Sequence, residues 1–393
     1  MIKISITLFF VVSIIFSTIY TPQAILPTLK EVFDIDIAKT NTLLSGMIFT
    51  LMIATPFYIL VSNKWQRKKI MIFSTFFLFL AVSISAVATN FYILLFSRIL
   101  QGIFIPGITA IMLSYVQDIY PDKHRGLGMG IYMAATSFGA VIGRLLAGWI
   151  TSLYSWRIAF ATFSFLLLIA LIAMIYALPS VKKSITKKII NKKMILSYLL
   201  DFKILSVLII PSVVFFSFMA ITTFATYYLS KPPFNLSSAQ LGNLFLVLLV
   251  GVFISPIVGK YSDKIGRVKI LFFGIFVLII GILLSLIQSY IFVVIGIGLV
   301  TVGMFSVQSV VPTYLGDLAP NDKTTVAILY QTFFYLGGAL GTLLPALVWK
   351  NYQYEGVSIL SILLLLVGIM PLTFIMKAKS ITSSRRGINY PDG

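Results

Sequence analysis

The sequence predicts an all-α membrane protein, twelve transmembrane helices arranged as two pseudo-symmetric six-helix bundles. Three observations predict it. Hydrophobic residues make up 59% of the 393 residues and charged residues only 10%, against about 25% charged in a soluble domain. Twelve apolar runs, at roughly 4–29, 41–62, 70–89, 91–117, 126–153, 156–179, 203–229, 239–259, 270–288, 290–316, 324–349 and 356–376, are long enough to cross a bilayer as helices. Finally, Ser114-Tyr-Val-Gln-Asp118-Ile-Tyr-Pro121 is echoed 199 positions later by Thr313-Tyr-Leu-Gly-Asp317-Leu-Ala-Pro320, which pairs Tyr115 with Tyr314 and Asp118 with Asp317. Such internal repetition fixes architecture more firmly than local propensity does. Two like halves in a membrane protein point to something passing between them.

Helices follow because each backbone amide in hydrocarbon must be hydrogen-bonded within its own segment or in a closed barrel. The runs lack the period-2 alternation of barrel strands. The first run continues to Leu29 without a small-x-small cleavage site, so it reads as a retained helix and not a signal peptide. A formal charge of +19 would suggest nucleic acid in a soluble chain; here its distribution makes it a topology signal. Twenty-three of the thirty Lys/Arg fall on one side, in Lys3, the turns around Lys64–Lys69 and Lys260–Lys269, Lys123, Arg125 and Lys323, the stretch Lys182–Lys203 and the end of the chain. Only Lys30, Lys39, Arg157, Lys231 and Lys350 fall on the other. By the positive-inside rule both termini are cytoplasmic, in the plasma (inner) membrane.

Residues 1–180 are expected to form the first bundle and 203–376 the second, joined by a basic cytoplasmic linker, 181–202, and followed by a polar tail, 377–393. Within the linker, Lys182–Lys193 is expected to lie flat on the inner leaflet. With no cysteine and the single His124 in a loop, thiolate and histidine metal sites are excluded. No cofactor or metal is expected.

Small residues inside spans let helices approach closely. Gly139, Gly143 and Gly148 form a stripe in the fifth span, and Gly337, Gly338 and Gly341 repeat the theme in the eleventh, which suggests a sliding interface. At the 199-residue offset Arg144 falls opposite Leu343, Arg98 opposite Ile297 and Gln101 opposite Val300.

The sharpest local motif is Gly259-Lys-Tyr-Ser-Asp263-Lys-Ile-Gly266-Arg267, between the eighth and ninth spans. Gly259 and Gly266 are expected to take positive φ in a tight reversal. Asp263 can accept from helix N-terminal amides or from Arg267, a charge lock that forms in one conformation and breaks in another. Here the chain resembles the major facilitator superfamily, whose loop signature is Gly-x-Leu-Ala-Asp-Arg-x-Gly-Arg-Lys. The copy between spans two and three keeps Arg67 and Lys68 but has Asn63 for the acid and Gln66 for the glycine, which predicts a weaker lock in the first half. Arg98-Ile-Leu-Gln101-Gly102 matches the family's Arg-x-x-Gln-Gly, and Gly139-x-x-x-Gly143-Arg144-x-x-x-Gly148 is similar to the glycine stripe of its drug and sugar exporters, with Arg144 in place of proline. The resemblance covers essentially the whole chain. It implies two bundles around a central cavity that opens alternately to either side.

Arg98 and Arg144 sit at comparable depth on consecutive helices. A buried arginine costs at least about 2.5–3.5 kcal/mol on insertion scales, so it is a functional candidate by default. Binding an anionic substrate group, or gating the outer mouth, is weighed against snorkelling or capping of backbone carbonyls. The eleven acids, by contrast, all fall at helix ends or in loops. A cation exporter driven by a buried carboxylate is therefore disfavoured. Candidate cavity groups are Tyr20, Gln23, Gln101, Tyr115, Tyr132, Tyr227, Tyr228, Gln308, Tyr330 and Gln331, each weighed against a tyrosine belt at the membrane interface.

The resulting expectation is a secondary active transporter, a monomer that exports a small organic compound by alternating access as an antiporter, with protons as coupling ion. Its partners are a small-molecule substrate and the lipid bilayer, and nucleic acid is not one. Uptake symport or uniport of an organic anion is the alternative, and a non-transporting sensor or lipid-handling protein is the alternative from another class. No nucleophile–base pair or nucleotide loop supports an enzyme.

Overall fold

Each long apolar run becomes a helix, as hydrocarbon demands of a backbone that finds no water. The computed structural model describes residues 2–62, 64–121, 124–180, 192–320 and 322–386, with side chains at 192, 193, 263, 323, 324 and 372–386 left aside. Twelve helical spans follow in order: α1 Ile2–Phe33, α2 Ile37–Val61, α3 Arg67–Ala86, α4 Phe91–Ile119, α5 Arg125–Leu153, α6 Trp156–Ala177, α7 Phe202–Leu229, α8 Ser238–Ser262, α9 Arg267–Ser285, α10 Tyr290–Leu318, α11 Thr325–Leu343 and α12 Pro345–Pro371. No strand occurs among the described residues.

Polar caps set where spans begin. The side chains of Asp36, Asn90, Ser155 and Asp201 accept from the backbone N–H groups of Lys39, Ile93, Ile158 and Ile204. Ser237 and Gln240 form a reciprocal capping box at α8. Such caps satisfy donors that a helix start leaves open. Between the caps the apolar content is needed on both sides of each helix. Phe57, Phe165, Phe253 and Phe276 are exposed on the outside while Leu8, Met47, Phe163 and Phe245 are fully buried. This is the pattern of a bundle solvated by lipid.

Three spans are broken, α8 among them by a 3₁₀ stretch at Phe245–Leu248. Pro22 cannot donate a backbone hydrogen bond, and at Thr21–Ile25 α1 passes through a 3₁₀ turn before resuming at Leu26. In α4, Pro106 starts a second segment after Phe104.

Two further boundaries differ from the sequence reading. The eleventh span ends at Leu343, and Pro345 immediately starts α12, so the stretch around Lys350 is helical and not an outer loop. Gln353, at φ 46°, kinks that helix. Its backbone runs on to Arg386, past the expected start of the tail. The lysines Lys182 to Lys188 lie outside the described residues; the linker's distal part is a short helix, Lys192–Leu200.

Within the first half α1 packs on α5, α2 on α4 and α3 on α6; within the second, α7 packs on α11 and α12, and α9 on α10. Across the halves, α2 meets α11 and α5 meets α8. Glycines set the closest approaches. A Cβ on Gly139 or Gly143 would strike the carbonyls of Ser13 and Ser17 of α1; a Cβ on Gly337 or Gly341 would strike those of Ser212 and Phe216 of α7. The packing therefore equates Gly139 with Gly337, one residue off the 199-residue offset read from sequence. In this register Arg144 corresponds to Thr342, and not to Leu343.

A candidate substrate pathway between the halves

The ends of the molecule are unlike. Where α1 turns into its 3₁₀ segment, side chains from both halves interlock. Gln23 donates from Nε2 to Thr222 Oγ1 (3.1 Å) and Thr223 Oγ1 (2.9 Å). Asn41 donates to the Thr342 carbonyl (2.8 Å) and accepts from Tyr227 Oη (2.8 Å). Thr28 bonds Ser238 at 2.8 Å, and Trp149 Nε1 donates to Asn243 Oδ1 at 2.8 Å. Gly148 abuts Ser238 and Gly242 so closely that a Cβ would overlap the Ser238 carbonyl. Every hydrogen bond between described residues of the two halves lies in this layer. Among the described residues the other end, which carries the basic turns, has none; between these residues the halves are joined at one end and unjoined at the other. Of the glycine stripe, only Gly148 lies between the halves. Gly139 and Gly143 lie inside the first.

Arg144 sits just behind the seal and is 1% exposed. Nε donates to Gln23 Oε1 (2.6 Å) and Nη1 to the Ala140 carbonyl (2.5 Å). Its Cζ lies 4.0 Å from the ring centroid of Tyr20 and 4.9 Å from that of Phe245, one ring from each half. Among the described residues Nη2 has no hydrogen-bond partner and no acid pairs with this guanidinium. Nearby, Tyr335 lies within electrostatic range of Tyr20, Tyr132 and Tyr330, a group drawn from α1, α5 and α11. Tyr132 donates to the Thr109 carbonyl at 3.2 Å. The hydroxyls of Tyr20, Tyr330 and Tyr335 and the amides of Gln308 and Gln331 have no protein partner and are half-buried. A recess of about 310 Å³ between α10 and α11 runs from Asp317 and Gly316 to Val326 and Tyr330. Tyrosines from both halves thus come within electrostatic range of one another, and one of them, Tyr20, carries the Arg144 guanidinium against its ring.

Arg98 is placed differently. It is fully buried and its donors go to carbonyls and one amide, all in the first half: Nε to Leu43 (3.1 Å), Nη1 to Thr18 (2.9 Å) and Gln101 Oε1 (2.5 Å), and Nη2 to Ile19 (2.8 Å). Thr18 is the carbonyl that Pro22 leaves without its i→i−4 donor. Arg98 takes that donor's place, so of the alternatives weighed from sequence the geometry shows the carbonyl cap. Gln101 continues inward to Ser85 Oγ (2.9 Å) and so also lies inside the first bundle. Tyr115 is likewise remote from the cavity, donating to the Pro179 carbonyl (2.5 Å) at the basic end. Tyr227 belongs to the seal, and Tyr228 stacks on Tyr354 at 4.8 Å inside the second bundle.

At the basic end Arg67 pairs with Asp118 and also donates to the Ser114 carbonyl at 3.2 Å. Arg267 pairs with Asp317 at 3.0 Å. An acid partner for Arg67 is therefore present in the first half despite its degraded turn. The acid seen on Arg267 is Asp317; the Asp263 side chain lies outside the described residues. Gly266 has φ +102° and needs to be glycine, whereas Gly259 lies inside the helix Leu249–Ile265 with open space around it. The expected positive φ holds for one of the two glycines. Sequence reasoning missed the acids' role, although Arg67 to Asp118 and Arg267 to Asp317 are almost equally spaced. Phe245, Asn41, Thr222, Thr223 and Tyr335 carried no sequence signal beyond residue type.

A sequence profile of the Major Facilitator Superfamily matches residues 8–342 and 213–385. The chain belongs to that superfamily. It is 27% identical over 381 residues to an uncharacterized MFS-type transporter, YybF, of Bacillus subtilis, covering 95% of this chain and 94% of that one. To the inner membrane transport protein YnfM of Escherichia coli it is 26% identical over 358 residues, 90% of this chain and 86% of the relative. Among solved structures, a bacterial homolog of the human lysosomal transporter Spinster, inward-facing and occupied, superimposes with TM-score 0.78 at 14% identity, covering 95% and 96% of the chains. The human organic anion transporter MFSD10 gives 0.66 at 18% identity, covering 94% and 99%. These structures share the fold. The protein is a membrane transporter of this superfamily, not an enzyme.

Proposed function

We propose that this transporter is a monomer that exports a small organic anion across the plasma membrane, receiving it at Arg144. The observation that carries this reading is the state of Arg144, a cation buried in the membrane-spanning layer with no acid partner and with Nη2 donors unused. An uncompensated buried charge is costly, and an arriving anion supplies the missing partner. With the basic end in the cytoplasm, as its lysines and arginines argue, the unjoined end faces the cytosol and loads from there. The exporter-like stripe from Gly139 to Gly148 supports the outward direction. An anion leaving a cell that is negative inside gains about 2.3 kcal/mol per charge per 100 mV. Export therefore needs no membrane-embedded carboxylate, in keeping with acids that lie only at span ends and in loops. A proton-coupled antiport cycle would add to that drive.

The test is a thermal-shift screen of purified protein against anionic and cationic metabolites, followed by flux from proteoliposomes. Anions are expected to stabilise the native protein, and Arg144→Gln to abolish the effect while the protein stays monodisperse. Stabilisation by cations alone would overturn the reading. Flux that responds oppositely to an imposed potential would reverse the direction.

A further inference from the structure

The geometry points to a planar aromatic carboxylate as the ligand of the Arg144 site; this rests on the reading that Arg144 receives the substrate anion. Two rings already lie against the guanidinium, with centroids 4.0 Å (Tyr20) and 4.9 Å (Phe245) from Cζ. What remains for a ligand is the N–H edge at Nη2, and a guanidinium edge matches a carboxylate bound in the same plane. In a conjugated aromatic acid the ring is coplanar with the carboxylate. A ligand bound edge-on therefore carries its ring into the space next to Arg144. Beyond Tyr20 the aromatic character continues: Tyr335 lies within electrostatic range of Tyr20, Tyr132 and Tyr330. Tyr330 stacks on Phe334 at 5.9 Å, and Phe334 stacks on Phe215 at 3.9 Å with planes 8° apart. Stacked and edge-on ring contacts favour a flat π-system beyond its area alone.

The polar groups fit the same guest. The hydroxyls of Tyr330 and Tyr335 and the Gln331 amide lack protein partners, so ring hydroxyl or amino substituents find donors and acceptors there. The charge count sets the other bound. Arg98 is spent on carbonyls, which leaves Arg144, with Nη2 unbonded, as the buried arginine available to a ligand among the described residues. One cation suits a monoanion. A phosphate or a dicarboxylate would leave charge unmatched in a low-dielectric site.

Calorimetric titration of the full-length purified transporter with benzoate, 4-hydroxybenzoate and cyclohexanecarboxylate tests this. Benzoate and cyclohexanecarboxylate share charge and nearly share size, and only benzoate is flat and aromatic. Benzoate is expected to bind roughly 10-fold tighter, with 4-hydroxybenzoate at least equal to it, and Tyr330→Leu or Tyr335→Leu is expected to narrow the ratio toward one. Equal affinity for benzoate and cyclohexanecarboxylate in the wild-type protein overturns the aromatic assignment and leaves the anion reading standing. If no carboxylate and no inorganic phosphate binds at all, both fall. Benzoate binding that survives Arg144→Gln places the ligand elsewhere and overturns the proposal too.

Discussion

Span α4 of the first half and span α10 of the second occupy equivalent places, yet one carries Arg98 and Gln101 where the other has Ile297 and Val300, all fully buried. The difference originates in a third helix. Pro22 breaks α1, whereas its counterpart at the 199-residue offset, Ile221, sits inside an unbroken helix from Phe202 to Leu229. A broken helix exposes carbonyls, and in hydrocarbon something must satisfy them. Arg98 does so from the neighbouring span; the intact α7 has no such need, and isoleucine suffices. Charge asymmetry between repeats is thus not by itself a sign of function. Arg144, whose counterpart is Thr342, is the asymmetric cation with donors to spare.

The largest effect should come from copying the second half into the first. Arg98→Ile strands the Thr18 and Ile19 carbonyls and is expected to cost roughly 3–5 kcal/mol, read as a large fall in melting temperature. Adding Pro22→Ile to that variant should recover a measurable part, because the carbonyl regains its helical donor. Strict additivity of the two substitutions would break the link between Pro22 and Arg98.

A smaller effect separates the glycines. Gly148→Ala places a methyl against the Ser238 carbonyl between the halves, while Gly139→Ala strikes Ser13 within one half. Because the chain has no native cysteine, spin labels at Tyr154→Cys and Tyr352→Cys can report the separation across the sealed end. Gly148→Ala should lengthen that distance. Gly139→Ala should lower thermal stability and leave the distance unchanged. The same shift in both would remove the distinction.

The smallest effect concerns the two ion pairs at the basic end. Both are partly exposed, so each should contribute about 0.2–1 kcal/mol. Arg67→Ala removes the Ser114 carbonyl contact along with the ion pair, and Arg67→Ala and Arg267→Ala should each cost an amount of this order. Thermal unfolding in low and high salt checks this, and salt should shrink both losses.

The spans were legible because hydrocarbon imposes one backbone solution and one composition on twelve stretches of chain. Gly266 was legible for a similar reason, since a basic turn between two spans needs a reversal. Arg98 was singled out correctly as unusual, but its partners lie on α1 and α2, and no local pattern announces a carbonyl freed by a proline far upstream. The Arg67 pair is not written in its own turn, where Asn63 stands at the acid's position; its partner, Asp118, stands in the most repeated segment of the sequence. Arg144 and Gln23 were both singled out, yet their contact, 121 residues apart in sequence, emerges only from how α1 and α5 pack.

The seal itself bears on speed. Six neutral hydrogen bonds join the described residues of the two halves, and at about 1 kcal/mol net each they amount to roughly 6 kcal/mol. A barrier of about 13 kcal/mol still permits on the order of 1,000 events per second. Breaking the whole layer at once therefore uses less than half of what millisecond turnover allows. In the proposed export cycle, the hydrogen bonds of a clasp made of amides and hydroxyls, with no ion pair between described residues in it, can break and re-form at that rate.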